Sequence, residues 1–330
     1  MKPACNSDTK ASDLVSHYAQ EIQGKTILVT GVSRGGLGES FVKEVAVAKP
    51  AILILAGRST SKMDQLTEEL KREHNSIDVK TLTLDLLSFT AVRKAAETVN
   101  SWTDVPQIDV LINNAGIMAV PYKQTKDGFE SQFQTNHLSH FLFTNLIMGK
   151  ILAAKTPRVV FVSSNVHRVG NIRWSDYNFN DGKNYQRWLA YGQSKTANAL
   201  TALALAEKLG SKGLFSFGMC PGVSYTNLSA HGIHDPAAFS VDLTEMDNVY
   251  GNKWWSGMAD LKVKTLDQGA ATHVFAAFDP DIESSNGAFL SDCHIADPYE
   301  EEVYSWATSK VDADRLWALS EKLVQQEFKY

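Results

Sequence analysis

The sequence predicts an α/β fold in which one doubly wound parallel sheet carries helices on both faces. Short, β-branched apolar segments alternate along the chain with helical patterns, as expected when strand–helix–strand units follow one another. The strand segments are apolar throughout, which is typical of parallel strands buried on both faces. Glycine and polar residues cluster directly after these segments, at the edge where open sheets of this type bind ligands.

The composition is that of a globular protein and argues against several classes of partner. Of the 330 residues, 44% are hydrophobic and 21% charged, with a formal net charge of −5. Mild acidity without a basic run gives no support for nucleic-acid or anionic-membrane binding. The lack of a long apolar run predicts no membrane insertion. Cys5, Cys220 and Cys293 are scattered and odd in number, which suits a reducing compartment. Because the N-terminus is polar and no apolar run reaches transmembrane length, we expect a cytoplasmic protein.

The first predicted unit is a strand, a glycine-rich turn and a helix. Residues 1–20 are expected to form a loose arm with one short helix, before a single domain over residues 21–330. Residues 25–30 have the apolar, β-branched pattern of a buried strand, and glycines follow at once in residues 31–38. A helical pattern then covers residues 39–48. Backbone N–H groups and a helix N-terminus so arranged hold a pyrophosphate, which predicts dinucleotide binding.

The rest of the chain continues this alternation of strands and helices. Further strands are predicted at residues 51–56, 79–84, 108–112, 158–162, 214–219 and 287–290. Further helices are predicted at residues 62–74, 88–100, 127–154, 191–209, 265–278 and 312–328.

Residues 226–264 lack this alternation and are predicted to form a substrate-binding lid. This stretch carries Tyr250, Trp254, Trp255 and Met258, whose apolar surface would bury a bulky substrate. The alternative is that both tryptophans pack against the sheet and have only a structural role.

Tyr191 and Lys195 are the central candidate pair. Residues four apart on a helix share one face, so a phenol and an ammonium would lie side by side. The positive charge favours the phenolate, which predicts that the pKa of Tyr191 falls towards neutrality. Such a tyrosine can exchange a proton with an alcohol or ketone oxygen. The spacing alone also occurs on solvated helix faces, so the prediction depends on the motifs upstream.

The chain resembles the short-chain dehydrogenase/reductase family over residues 25–290, because it carries that family's motifs in order. They are Thr30-Gly31 through Gly38, Asn113-Asn114-Ala115-Gly116, Asn136, Ser163-Ser164, Tyr191-x-x-x-Lys195 and Pro221-Gly222. The resemblance implies a Rossmann-type fold. The insert before Tyr191 and the tail around Trp317 are similar to the retinol-dehydrogenase and protochlorophyllide-reductase-like branch. Within that branch the chain is most similar to fungal members, many of which serve secondary metabolism.

The resemblance implies a role for each motif residue of the reaction centre. Tyr191 would be the general acid or base, and Lys195 would lower its pKa and hold the nicotinamide ribose. Ser164 would hydrogen-bond the substrate oxygen, with Ser163 as the alternative serine. Asn136 would interrupt its helix and position a water that relays protons through Lys195.

The resemblance also implies the contacts to the cofactor. They involve Gly31, Ser33, Arg34, Gly36, Leu37, Gly38, Arg58, Ser59, Asp85, Leu86, Asn114, Ala115, Gly116, Tyr191, Lys195, Pro221, Gly222, Val223 and Thr226. The glycine turn is one residue longer than the family pattern, which leaves open whether Ser33 or Arg34 contacts phosphate. Asp85 would accept a hydrogen bond from the adenine, or only cap the end of its strand.

NADP(H) is the expected cofactor. A fold of this type that prefers NAD tends to end its second strand with an acidic residue. Here that position carries Gly57-Arg58-Ser59, and Arg34 adds a second cation. No metal is expected, because His137 and His140 lack a third ligand nearby in the sequence.

The sequence therefore predicts a reductase that interconverts a ketone or aldehyde and an alcohol on a bulky, largely apolar small molecule. A homodimer is compatible with this prediction. Two alternatives remain on the same scaffold. One is epimerisation, dehydration or a pericyclic step, and the other is a dinucleotide-sensing protein without catalysis.

Overall fold

A mostly parallel eight-stranded sheet forms the centre of the protein. The computed structural model describes residues 5–228, 244–249, 251, 262–300 and 302–330. The strand order is β10-β9-β6-β5-β4-β1-β2-β3. The edge strand β10 pairs antiparallel with β9, and the other neighbouring strands of this sheet are parallel. The strands are β1 Thr26–Thr30, β2 Ile52–Gly57, β3 Asp78–Thr83, β4 Val110–Asn113, β5 Arg158–Val162, β6 Phe215–Cys220, β9 Phe289–Ser291 and β10 His294–Ile295. This arrangement confirms the predicted doubly wound Rossmann-type fold.

Helices cover both faces of this sheet. They are α1 Ala11–His17, α2 Ala19–Ile22, α3 Leu37–Ala46, α4 Thr60–Glu73, α5 Phe89–Ser101, α6 Ser131–Phe133, α7 Ser139–Leu146, α8 Met148–Leu152, α9 Arg187–Leu209, α10 at residues 244–249, α11 Leu266–Phe278 and α12 Lys310–Val324. None of the described helices combines the length and apolar character that crossing a membrane requires.

Two hydrophobic cores lie on opposite faces of the sheet. Successive residues of β1 point to opposite faces, so Leu28 joins the core beneath α5, α7, α9 and α12. Its neighbours Ile27 and Val29 join the core beneath α1, α3, α4 and α11. Both cores are needed because β1 is buried at every position, which explains its apolar central residues.

The N-terminal segment is packed on the domain, in contrast to the expected loose arm. Leu14 of α1 is fully buried, in the same core as α11. The backbone N–H and hydroxyl of Ser12 both donate to the carboxylate of Asp267 at 2.9 Å. The hydroxyl of Tyr18 donates to Asp279 at 2.7 Å. The sequence did not show these contacts because their partners lie some 255–261 residues downstream.

The helix predicted at residues 127–154 is interrupted. A π-helical segment, Gln134–Leu138, separates α6 from α7. The carboxylate of Glu130 caps the first turn by accepting from the N–H groups of Gln132 and Phe133, each at 2.8 Å. π-Helical segments inside α-helices are often found at functional sites.

The residues just before the predicted lid pair with its last two residues in a small parallel sheet. Val223–Ser224 forms β7 and pairs with Val263–Lys264, which forms β8. The described residues between β7 and β8 are 225–228, α10, Gly251 and Lys262. Tyr250, Trp254, Trp255 and Met258, on which the lid prediction rested, lie outside the described residues.

Acid should destabilise this fold, because four histidines are fully buried: His137, His140, His167 and His273. Burial lowers their pKa values to about 3 or 4, so the folded chain keeps them neutral. The unfolded chain binds protons at these side chains below about pH 6.5, so stability falls as the pH drops below that value. Each histidine should contribute about 1.4 kcal/mol of lost unfolding free energy between pH 7.5 and 5.5.

Urea titrations at these two pH values measure this loss. Glu130 and Glu44, whose pKa values burial raises, oppose this trend. Equal unfolding free energies at pH 7.5 and 5.5 would contradict buried neutral histidines.

Candidate active site

The carboxyl ends of the central parallel strands bring the predicted motifs to one edge of the sheet. β6, β5, β4 and β1 are neighbours in that order. The segments after them contain Pro221-Gly222, Ser163-Ser164, Asn114 to Gly116 and the glycine turn, respectively. One side-by-side set of parallel strands thus assembles residues that are widely separated in the sequence.

The glycine turn and the Asn114 turn are in direct backbone contact. Gly31 has φ +76°, and a Cβ there would lie 2.6 Å from the Cα of Ala115. Nδ2 of Asn114 donates to the carbonyls of Thr30 at 2.9 Å and Gly31 at 3.1 Å. Nε2 of His273 lies 3.3 Å from Oδ1 of Asn114. An amide oxygen only accepts, so His273 donates and fixes the orientation of Asn114.

The lengthened glycine turn is held at Gly35 by a carboxylate. Oε2 of Glu39 accepts from the N–H of Gly35 at 2.5 Å, and Oε1 pairs with Lys43 at 3.0 Å. Ser33 and Arg34 are both exposed beside this turn. The first turn of α3 has no side-chain cap, so its N–H groups are available to an anion.

The second and third strands end in the other residues expected to contact the adenosine. Arg58 is exposed at the end of β2, and Ser59 contacts Ser61 through its hydroxyl at 3.1 Å. Oδ1 of Asp85 accepts from the N–H of Leu87 at 3.1 Å, so Asp85 does cap its turn. Leu86 is buried.

Tyr191 and Lys195 lie together on the first turns of α9. The Lys195 ammonium is 5.5 Å from the centre of the Tyr191 ring, and both residues are at least 96% buried. Nζ of Lys195 donates to the carbonyl of Val162, the last residue of β5, at 2.9 Å. α9 begins at Arg187, one turn before the predicted start, because Gln186 caps it by accepting from Trp188 and Leu189.

The prediction that Lys195 lowers the pKa of Tyr191 is wrong for this structure. Burial raises the pKa of Tyr191, and the hydrogen bond with Ser164 only partly opposes that shift. Burial also lowers the pKa of Lys195 to about 8. Removal of water disfavours the charged form of each group, and this effect exceeds their mutual influence.

The structure distinguishes the two serines. The hydroxyl of Ser163 donates to the backbone carbonyl of Lys195 at 2.7 Å, so it is directed at the helix backbone. Ser164 begins a 3-10 helix, Asn165–Val169, and its hydroxyl accepts from the N–H of Val166 at 3.2 Å. Ser164 is also the serine whose hydroxyl partly opposes the raised pKa of Tyr191.

Asn136 joins the π-helical segment to the Asn114 turn and to α9. Its side chain accepts from the N–H of Ile117 and donates to the carbonyl of Ile117, both at 2.9 Å. Nδ2 also donates to the hydroxyl of Ser194 at 2.9 Å. Nδ1 of His140 donates to the backbone carbonyl of Asn136 at 3.1 Å. A Cβ on Gly116 would lie 3.0 Å from Oδ1 of Asn136 and 3.6 Å from Nζ of Lys195, so Gly116 lies against both.

The segment after β6 is supported from beneath by a lysine that sequence reasoning missed. Gly222 has φ +79°, and a Cβ there would lie 2.8 Å from Cε of Lys264. Lys264 is buried and pairs with Asp292. Pro221 is buried and Val223 half-buried, while Oγ1 of Thr226 accepts from Leu228 at 3.2 Å.

An apolar wall surrounds Tyr191. It consists of Ala119, Val166, Val169, Trp188 and Met246. Met246 belongs to α10, so a described part of the predicted lid does pack beside Tyr191. An open cavity of about 400 Å³ lies at the start of α9, lined by Pro121, Tyr185, Gln186 and Arg187.

Sequence reasoning considered His137 and His140 only as metal ligands or packing residues, and it passed over His167 and His273. His140, His167 and His273 each contact a motif residue, namely Asn136, Ser164 and Asn114. The four-residue spacing of Asn136 and His140 and the three-residue spacing of Ser164 and His167 were signals that could have suggested such contacts.

Comparisons with known proteins agree with this arrangement. A family model for short chain dehydrogenases matches residues 25–178. Human retinol dehydrogenase 14 is 32% identical over 92% of this chain and 87% of its own length. The chloroplastic short-chain dehydrogenase TIC 32 A of Brassica napus is 31% identical over 98% of this chain and 95% of its own length. A solved structure from Mycobacterium paratuberculosis is 32% identical, with a TM-score of 0.69 over 94% of this chain and 98% of that one.

Gly31→Ala tests the contact between the two turns. The added Cβ would overlap the backbone of Ala115 and would also occupy a left-handed conformation. Gly213→Ala is the matched control, because Gly213 has φ +85° but nothing within 4 Å of its Cβ position. The control should lose about 1 kcal/mol of unfolding free energy to backbone strain, and Gly31→Ala should lose at least about 2 kcal/mol more. Equal losses in urea titrations would mean that the two turns are not in tight contact.

Proposed function

Because the chain belongs to the short-chain dehydrogenase/reductase family, whose members are oxidoreductases that bind a nicotinamide dinucleotide, we propose that it is an NADP(H)-dependent reductase. It interconverts a ketone or aldehyde and an alcohol on a bulky, largely apolar small molecule, in the reductive direction. One observation carries this proposal. Tyr191 is buried beside Lys195, and the Ser164 hydroxyl is close enough to oppose the rise of its pKa, at the edge of the sheet that also holds the glycine turn.

The residues present fit a dinucleotide. The uncapped first turn of α3 follows the glycine turn, so its N–H groups and the positive end of the helix face an incoming diphosphate. A side chain at Gly38 would overlap the carbonyl of Gly31, 2.6 Å away, so glycine here lets α3 begin close against the end of β1. When bound, the reduced nicotinamide supplies the hydride.

The chain's own residues handle the substrate oxygen and its proton. Tyr191 is held neutral by burial, so it is ready to donate its proton to the oxygen of a carbonyl substrate. The Ser164 hydroxyl donates to the same oxygen as negative charge develops there. Lys195, with its pKa near 8, stabilises the resulting phenolate and can exchange a proton near neutral pH. Asn136 holds the Ile117 segment and Ser194 in place around them.

Two cations support the choice of NADP(H) over NAD(H). Arg58 is exposed at the end of β2, where an NAD-preferring fold tends to have an acidic residue, and Arg34 is exposed in the glycine turn. The neighbouring carboxylates of Glu39 and Glu69 are both paired with Lys43, at 3.0 Å and 2.7 Å. Their negative charge is therefore partly compensated where a 2′-phosphate would bind.

Two observations support a bulky apolar substrate. Tyr191 is surrounded by Val166, Val169, Trp188 and Met246, which offer apolar surface to the reacting group. The similar human protein is named for retinol, a large apolar alcohol. A protein that only senses dinucleotides would not need a buried phenol with a serine partner, so the non-catalytic alternative receives no support from this site.

Tyr191→Phe should abolish most turnover while leaving NADPH affinity within a few-fold. Loss of the general acid predicts a decrease in kcat of roughly 100- to 10,000-fold. The assay follows NADPH absorbance with all-trans-retinal, nonanal and a panel of apolar ketones. Tyr18→Phe is the matched control, because it removes a buried hydroxyl bonded to Asp279 far from this edge. Near-full turnover by Tyr191→Phe would refute the proposed mechanism.

Arg58→Asp should erode or reverse the cofactor preference. Each charge-assisted hydrogen bond to a 2′-phosphate contributes roughly 1.5–3 kcal/mol, so the Kd for NADPH should rise about 10- to 100-fold. Titrations of NADPH and NADH measure both constants. Arg72→Asp makes the same change of charge at an exposed position near the end of α4 and should leave both constants unchanged. Tighter binding of NADH than of NADPH to the wild-type chain would exclude the proposed preference.

A further inference from the structure

His167 lies directly behind Ser164 and is fully buried. It belongs to the 3-10 helix that Ser164 begins. Nδ1 of its ring lies 2.7 Å from the backbone carbonyl of Ser164. Nε2 lies 3.1 Å from the backbone nitrogen of Tyr304, in the segment before α12. One side chain therefore links the serine to a region about 140 residues later in the chain.

These two partners fix the tautomer of His167. A carbonyl can only accept, so Nδ1 carries the hydrogen and donates it to Ser164. A backbone N–H can only donate, so Nε2 has no hydrogen and accepts from Tyr304. A protonated ring would direct an N–H at the N–H of Tyr304. Burial lowers the pKa of His167 to about 3, which agrees with a neutral ring.

The segment at residues 302–307, here called the C-terminal clamp, makes two more bonds to the same 3-10 helix. Nε1 of Trp306 donates to the carbonyl of His167 at 3.0 Å. Nη2 of Arg168 donates to the carbonyl of Glu302 at 2.7 Å. Three hydrogen bonds from the C-terminal clamp thus converge on two consecutive residues of the 3-10 helix that Ser164 begins.

The C-terminal end of this 3-10 helix packs directly against α9. A Cβ on Gly170 would lie 2.3 Å from the backbone nitrogen of Gln193, so the two backbones are in contact. The hydroxyl of Thr196, next to Lys195, lies within hydrogen-bonding distance of the carbonyls of Gly170 at 2.6 Å and His167 at 3.2 Å. The distance between Ser164 and Tyr191 therefore depends on how this 3-10 helix is held between α9 and the C-terminal clamp.

We propose that His167 is a positioning residue that fixes the Ser164 backbone through its Nδ1–H while its Nε2 anchors it to the C-terminal clamp. The clamp makes two other bonds to this 3-10 helix, through Trp306 and Glu302, and these still hold the helix when the Tyr304 bond alone is lost. The inference rests on the proposed function, because it gives Ser164 a role in turnover.

Two substitutions of His167 separate its two bonds. The amide of Asn occupies the position of Nδ1, so His167→Asn can keep the bond to Ser164 and loses the bond to Tyr304. The longer amide of Gln occupies the position of Nε2, so His167→Gln can keep the bond to Tyr304 and loses the bond to Ser164. Both variants lose one buried hydrogen bond, and urea titrations should show comparable losses of stability.

The two variants should differ in turnover. With the best carbonyl substrate of the panel, His167→Gln should lower kcat about 10- to 100-fold, because a misplaced serine no longer meets the substrate oxygen. His167→Asn should stay within about 3-fold of the wild type, and both should keep the KM for NADPH within about 3-fold. Equal kcat values for the folded Asn and Gln variants would overturn the inference.

Ser164→Ala distinguishes failure of this inference from failure of the proposed function. If Ser164→Ala loses turnover while the two His167 variants are equal, the proposed function stands and His167 is only structural. If Ser164→Ala keeps full turnover, the serine has no role in the reaction. That result would overturn the His167 inference and remove Ser164 from the proposed mechanism.

A spectroscopic measurement tests the inference without any substrate. In the wild-type protein labelled with ¹⁵N-histidine, the signals lost in His167→Asn identify His167. We expect an Nδ1–H tautomer that stays neutral from pH 8 down to pH 5, as burial of the ring requires. An Nε2–H tautomer, or protonation near pH 6, would exclude the bond to Ser164 and overturn the inference.

Discussion

The buried pair of Tyr191 and Lys195 is the constraint on which the rest of this edge depends. An ammonium removed from water needs protein groups around it, and the Val162 carbonyl at the end of β5 supplies one at 2.9 Å. Ser163 in turn donates to the backbone carbonyl of Lys195 at 2.7 Å, so the end of β5 and the residue after it hold both the side chain and the backbone of this lysine. Burial favours the neutral forms of both side chains, which keeps a proton on Tyr191 and makes that of Lys195 easy to exchange. Formation of a phenolate would reverse this preference, because the ammonium would then gain a partner at close range.

Neutral histidines supply the hydrogen bonds that hold the motif residues against this pair. His140 donates to the carbonyl of Asn136 and lies 3.0 Å from Thr30, so it ties the π-helical segment to β1. His167 and His273 make comparable contacts to Ser164 and Asn114. A buried imidazole with one donor and one acceptor can satisfy two backbone or amide groups at once, provided that it stays neutral. The same feature that orders the site therefore makes the fold sensitive to acid.

The sequence was sufficient for the sheet and for the gathering of the motif residues at one of its edges, because both depend on local patterns. The apolar segment at residues 158–162 became β5 without any shift, and the motif residues do follow the strand ends as predicted. Properties that depend on distant contacts were not predictable in this way. The direction of the Tyr191 pKa follows from burial by Trp188 and other residues of the apolar wall, and the packing of α1 follows from partners in α11. The family resemblance already implied Ser164, but only the direction of each hydroxyl shows that Ser163 is bonded to the helix backbone.

Transfer of the nicotinamide hydrogen to carbon is the central claim, and deuterium tests it most directly. Each of the two stereoisomers of NADPH deuterated at C4 should be incubated with the chain and all-trans-retinal, or with the best ketone of the panel, and the product analysed by mass spectrometry. Direct hydride transfer predicts one deuterium on the carbinol carbon from one stereoisomer and none from the other. An alcohol without deuterium from either stereoisomer would contradict the account, as would conversion of the substrate to an isomer without consumption of NADPH.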